Sequence, residues 1–203
     1  ADPELRSFVL RSGWFDKTYA GDSVLPMWQP SCDSNRIRLQ ATEFSLSNKN
    51  KPHFVFMNFF EPTPPYEPPE PYNKHYPTHP YDGEIAAIDE QISRFIHVLK
   101  QTGIFGNSIL IFTAPYAENP EGVGRAGSVD DENLKVPLLI AAPGLVPRHE
   151  DYGTAVSLFD VYPTIGALLN WSEDSKIDGK SLFQKNNNQQ VAHDFLFGGS
   201  FFP

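Results

Sequence analysis

Residues 81–113 read YDGEIAAIDEQISRFIHVLKQTGIFGNSILIFT. Two periods meet in this stretch. Ile85, Ile88, Ile92, Phe95, Ile96 and Leu99 recur every three or four residues, which is the stripe of an amphipathic helix. Asp82 or Gly83 is the expected cap, and Glu84 in the first turn suits the helix dipole. Lys100 suits the other end, and Gly103 is the expected stop. Ser108–Thr113 then carries Ile109-Leu110-Ile111-Phe112, an uninterrupted apolar run of strand length. A helix feeding a buried strand is the unit from which layered α/β folds are built.

The flanks extend the pattern. Upstream, His53–Phe60 is nearly all apolar and reads as a strand buried on both faces. Pro62, Pro64, Pro65, Pro68, Pro69, Pro71, Pro77 and Pro80 follow it, so this segment is expected as an extended surface loop, neither helix nor inner strand. Arg38–Leu46 has short helical spacing through Leu39, Ala41, Phe44 and Leu46. Downstream, a Gly/Pro/Asn-rich loop at 114–133 leads to a third strand, Val136–Ala142, closed by Pro143-Gly144. Ser157–Leu169 reads as a helix with Leu158, Val161, Ile165 and Leu168 on one side, and Phe195–Phe197 as a last short strand. Strands alternating with helices imply a partly parallel layered sheet. Residues 1–33 read as a poorly defined N-terminal arm and 34–203 as one α/β domain.

Composition bounds the function. The 203 residues hold 25 acidic and 16 basic side chains, a net charge of −9, which disfavours nucleic acid or an anionic membrane as partner. No apolar run reaches the ~18 residues of a membrane span. Cys32 is the one cysteine, so neither a disulfide framework nor a multi-cysteine zinc site is expected. The start Ala1-Asp2-Pro3, without Met, points to processing or to a piece of something larger, and no secretory leader is read. Asn170-Trp171-Ser172 is an N-glycosylation sequon and points toward the secretory pathway.

Several attractive patterns have plainer readings. His75 and His79 have i, i+4 metal spacing, but Pro77 between them forbids the helix that would align them. Asp130-Asp131-Glu132 reads as a solvated turn, Asp160 as a structural hydrogen-bonding group, and 122–127 as a glycine-rich loop without the strand and helix a nucleotide needs. Aromatic residues crowd the Pro-rich loop, and Tyr66, Tyr72 and Tyr76, with Arg125, form a candidate binding rim.

Four stretches in order carry a resemblance. They are HFVFMNFFEPTPPYEPP at 53–69, residues 81–113 quoted above, NLKVPLLIAAPGLVP at 133–147, and VSLFDVYPTI at 156–165. In order and spacing the chain resembles the C-terminal part of the sulfatase family, within the alkaline-phosphatase-like superfamily. The resemblance implies a layered alkaline-phosphatase-like sheet with helices on its faces, partial because the N-terminal nucleophile segment is lacking. It also implies chemistry: a divalent cation, a formylglycine made from Cys or Ser, and Lys and His side chains cradling the sulfate.

The positions matching that chemistry are altered. The family's Asp-His/Asn-Gly-Glu metal word falls on Pro115, Tyr116, Ala117 and Glu118. Proline offers no side-chain oxygen, and one surviving carboxylate does not make a site for a hard cation. The family's sulfate-contacting His falls on Thr63, and its Lys falls on or beside Ala126-Gly127. Cys32-Asp33-Ser34-Asn35-Arg36 departs from Cys-x-Pro-Ser-Arg at two positions and is read as an ordinary loop. The expected catalytic residues, metal ligands and cofactors are therefore none. Thr63, Pro115, Tyr116 and Glu118 are vestigial, and the module is expected to be a pseudoenzyme. It would bind a protein partner or an extracellular glycan through the former active-site loops, outside the cell or on its surface. The rim lacks a strong basic cluster, which disfavours a highly sulfated glycan. The alternative is a C-terminal fragment of a metal-dependent sulfatase or phosphohydrolase whose nucleophile lies on an absent segment.

Overall fold

A computed structural model of the chain describes residues 34–117, 134–147, 153, 155–171 and 177–183. The chain divides into two compact units, Ala1–Ile104 and Phe105–Pro203.

In the first unit, helices α1 (Ser34–Ser47) and α3 (Pro80–Gln101) pack against each other, and a single turn, α2 (Tyr72–His75), packs on α3. The expected helix near Arg38–Leu46 is thus found and is longer. Its buried face differs from the apolar spacing: Leu39 is 50% exposed, whereas Ala41 and Ser45 are buried. Small side chains let two helices approach closely, so here size selects the face rather than hydrophobicity. Across from them, Ala87, Ile88, Phe95 and Leu99 of α3 are buried. Burying a side chain such as Phe95 or Leu99 is worth about 1.5–3 kcal/mol. Ile85, expected in the stripe, is exposed, and the buried line starts instead at Glu84.

The ends of α3 follow proline and glycine chemistry. Pro80 occupies the first turn, where its missing N–H is no loss, and His79 stands at the cap position without a side-chain cap bond. Asp82, an expected cap, lies inside the first turn instead, because the helix starts at that proline. Gly103 has φ +77° just beyond the C-terminus, as a helix stop requires.

Two expectations upstream are corrected. Residues 53–60 belong to no ladder among the described residues. Phe54 and Phe56 are exposed, while Val55 and Met57 between them are half-buried. The two-residue period is that of a strand, but a strand also needs a neighbour to bond with. The Pro-rich segment is not wholly non-helical either. Pro71 precedes α2, the one place a proline helps a helical turn to start, and Pro77 follows it.

The second unit holds β1 (Leu110–Thr113) and β2 (Leu138–Ala141). They pair antiparallel, with Phe112 opposite Leu139 and Leu110 opposite Ala141. The expected parallel relation is not found for this pair. Nor are both faces covered, since Phe112 is 41% and Leu139 59% exposed on the same side. A 3-10 turn (Leu158–Asp160) then runs into α4 (Val161–Leu169). Leu158 is exposed, and the buried side of this element is Asp160, Pro163, Thr164 and Gly166. Segment 177–183 accounts for that choice. Lys180 N donates to Asp160 Oδ1 at 2.8 Å and Leu182 N to Thr164 Oγ1 at 3.0 Å. A Cβ on Gly179 would stand 2.0 Å from the Phe159 carbonyl oxygen, so only glycine admits this close approach. The expected strand Phe195–Phe197 lies outside the described residues.

Candidate functional site

The Pro-rich loop is held to α3 by one buried carboxylate. Glu84, 5% exposed, accepts from Thr63 N at 3.0 Å through Oε2 and from Glu67 N at 2.7 Å through Oε1. Thr63 is also tied down by its hydroxyl, which donates to the Phe60 carbonyl. Pro68 is buried directly over Gly83, where a Cβ would meet its ring at 2.8 Å. Peptide bonds 61–62, 64–65 and 70–71 are cis.

Glu61 stands at the loop's start. Its Oε2 is buried with no hydrogen-bond partner. Burial, with the charge of Glu84 adding to it, lifts this carboxyl above the usual carboxylate range, and main-chain N–H groups at Glu61, Ser34 and Phe60 pull the other way. The unit therefore holds two neighbouring carboxylates, of which only Glu84 has both oxygens satisfied by loop N–H groups.

The expected rim tyrosines all sit on this loop. Tyr66 packs edge-on against Tyr81, with ring centroids 5.4 Å apart. Tyr72 donates its hydroxyl to Glu90 Oε2 at 2.9 Å, and Glu90 Oε1 accepts from Arg94 Nε and Nη2 at 3.1 and 2.6 Å. Burial and the Glu90 bond push the Tyr72 phenol up, while Tyr72 and then Arg94 hold Glu90 below the ordinary range. Tyr76 is exposed beside Gly83. His75 and His79 are both exposed. Tyr66, Tyr72 and Tyr76 thus share one loop against one helix, and Tyr72 has its hydroxyl already engaged.

The other positions expected to be vestigial belong to the second unit. Thr113, at the end of β1, donates its hydroxyl to the Pro137 carbonyl at 2.7 Å. Beyond Ala114, Pro115 is exposed, and Tyr116 is 64% exposed. Glu118, Arg125, Cys32 and the acidic cluster at 130–132 lie outside the described residues. Asn170 is exposed in the left-handed region, φ 58°, where it closes α4. Among the described residues, no three His, Cys, Asp or Glu side chains gather as a metal ion requires. The residues at the end of β1 do not fit a hard cation, since proline has no donor and the phenol beside it is no substitute for a carboxylate.

Glu84, Glu90 and Asp160 were not singled out as site-forming by sequence reasoning. A signal existed for Glu84, which lies four residues before Ile88 and so on the buried line of α3. A carboxylate on that line must find donors.

The sulfatase family profile matches residues 6–171. The chain is 36% identical over 110 residues to an arylsulfatase of Volvox carteri, covering 48% of this chain and 16% of that protein. It is 22% identical over 184 residues to a steryl-sulfatase of Rattus norvegicus, covering 81% of this chain and 32% of that protein. Among solved structures, Ps i-CgsB superposes with a TM-score of 0.65 at 22% identity, over 73% of this chain and 37% of that one. Its complex with k-i-k-neocarrahexaose gives 0.65 at 17% identity, over 89% and 45%. The putative sulfatase yidJ of Bacteroides fragilis gives 0.62 at 20% identity, over 66% and 36%. The fold is therefore the alkaline-phosphatase-like one of the sulfatases, represented here in part. The chain belongs to the sulfatase family. It spans no more than about a third of the length of the curated relatives named here.

Proposed function

We propose that this chain is a sulfatase-family module that does not hydrolyse sulfate esters and acts by binding, through the Pro-rich loop and its tyrosines. The observation that carries the reading is Pro115-Tyr116, separated from the end of β1 by one residue, where the family's metal word falls. Without a cation no preorganised charge meets the oxyanion of a sulfate ester, and that is usually the largest catalytic contribution. Thr63, standing for the sulfate-contacting His, has its hydroxyl and its N–H both engaged within the loop. Tyrosine rings present flat apolar faces that suit either a sugar ring or a protein hot spot. The occupant is a protein partner or an extracellular glycan, and a neocarrahexaose complex in one structural neighbour favours testing carbohydrates first. The exposed Asn170 of the sequon supports secretion or surface display, and no described helix is long and apolar enough to cross a membrane.

The length shared with relatives favours a second reading, that of a fragment of a metal-dependent sulfatase. Calorimetric titration with calcium and magnesium, beside turnover of an aryl sulfate, separates the two. The binding module shows neither saturable cation heat nor turnover. Tight cation binding or hydrolysis would establish the enzyme fragment instead.

A further inference from the structure

We infer that the outward face of α4 docks on the same face of a second copy of this chain, with the two helices antiparallel about a two-fold axis. α4 reads VYPTIGALL and carries no charged residue. A helix that is apolar on every side needs cover on every side. One side has it: Asp160, Pro163, Thr164 and Gly166 are buried, and segment 177–183 bonds to Asp160 and Thr164. The opposite side is open. Leu158, Tyr162 and Leu169 are 38%, 57% and 46% exposed, and Ile165 among them is half-buried. Phe159 and Trp171, next to this line in sequence, are exposed as well.

Spacing, charge and area select a second copy as the occupant. Leu158, Tyr162, Ile165 and Leu169 follow one another at four, three and four residues, the seam of paired helices. That order reads the same in both directions. A two-fold axis between positions 163 and 164 therefore lays the seam on itself, Leu158 against the partner's Leu169 and Tyr162 against the partner's Ile165. Asp160 is the one charged residue from 155 to 171, and it is fully buried. Chains of net charge −9 repel each other, and at this face they meet without setting carboxylates against carboxylates. Aromatic side chains bury about 150–250 Å² each, so the exposed parts of these residues amount to on the order of 500 Å² per chain. Two copies together reach about 1,000 Å², the lower bound for a specific interface, which corresponds to a transient dimer with Kd of about 1–100 μM. This inference goes beyond binding by the Pro-rich loop and does not depend on it.

The test is sedimentation equilibrium of the 203-residue chain between about 1 and 200 μM, a range that brackets the expected Kd. The mass should rise with concentration from 22.8 kDa toward twice that value. Leu158→Glu and Leu169→Lys each place an unpaired charge in the seam and should each raise Kd at least about a hundredfold, leaving monomer. An equimolar mixture of the two variants should regain a dimer, because the new carboxylate at position 158 then meets the new ammonium at position 169 across the axis. The two positions lie about 16 Å apart along one helix, so this rescue reports contact between copies. Tyr162→Ala, which trims the seam without charging it, should weaken the dimer about tenfold. Leu39→Glu, at an exposed position of α1, should leave Kd unchanged. The inference is overturned if the chain keeps a mass of 22.8 kDa up to about 200 μM, an outcome that assigns the face to another occupant. It is equally overturned if the mixed variants stay monomeric with native helix content, or if Leu39→Glu weakens the dimer as much as Tyr162→Ala does.

Discussion

Replacing Glu84 by Gln asks whether one carboxylate shapes the loop on which the binding reading rests. Each oxygen of Glu84 accepts a main-chain N–H, from Thr63 at 3.0 Å and from Glu67 at 2.7 Å, and the side chain is 5% exposed. Glutamine keeps the shape but offers a single acceptor, and its NH₂ would face a second donor. One loop N–H then loses its partner. Hydrogen bonds to a charged group contribute about 1.5–3 kcal/mol, so a loss of about 2 kcal/mol is expected. For a chain of this size that lowers Tm by about 4–8 °C. Part of the cost is offset, because removing the Glu84 charge relieves its repulsion of Glu61. In a Glu61→Gln background that relief is absent, and Glu84→Gln should cost more there than in the native protein. Amide hydrogen exchange gives the local readout: Thr63 and Glu67 should exchange faster in Glu84→Gln, while the interior of α3 around Phe95 keeps its protection. Unchanged exchange at both loop amides, with an unchanged Tm, would refute the idea that Glu84 anchors the loop.

The remaining predictions concern the second unit and pH. Gly179→Ala forces a Cβ to within 2.0 Å of the Phe159 carbonyl oxygen and should cost about 2–3 kcal/mol in urea unfolding, whereas Gly153→Ala, with nothing within 4 Å, should stay within about 0.5 kcal/mol. Equal effects at the two glycines would show that segment 177–183 does not lie on the turn at Leu158–Asp160. Asp160→Asn leaves either Ser157 N or Lys180 N without an acceptor in a fully buried place and should cost about 1–3 kcal/mol by the same assay. Glu61 binds its proton more tightly in the folded chain than in the unfolded one, so its contribution is fully present below the ordinary carboxylate range and is lost as pH rises through the folded value. Glu61→Gln should therefore raise stability near neutral pH and flatten the fall in stability above the carboxylate range, and an unchanged pH profile of Tm would exclude a buried Glu61.

What the sequence reveals depends on whether an interaction is local. The spacing of Ile88, Phe95 and Leu99, with Pro80 before it and Gly103 after it, is sufficient to mark α3, because a helix satisfies its own backbone within one segment. The strand expected at 53–60 is a different matter. Its apolar run is visible, and its alternating exposure is that of a strand, but pairing is a property of two segments, and no partner joins it among the described residues. The same reason explains β1 and β2, whose positions are readable while their antiparallel register, Phe112 with Leu139, is not.

The polar interior follows a third rule. Glu84, Gln91, Asp160 and Thr164 are buried because a distant segment supplies their partners: Thr63 and Glu67 for the first, Arg38 for the second, and Lys180 and Leu182 for the last two. Buried carboxylates cost several kcal/mol unless such donors are present. Each one therefore records a long-range contact that hydrophobic periodicity cannot express, although a charged residue on an otherwise apolar line is its visible trace. The changed metal word works in the opposite sense. Pro115 and Tyr116 are informative through the resemblance, because a side chain without a carboxylate can be read at its own position without knowing its partners. A changed side chain is thus legible at a single position, while a binding surface depends on residues that only the folded chain assembles.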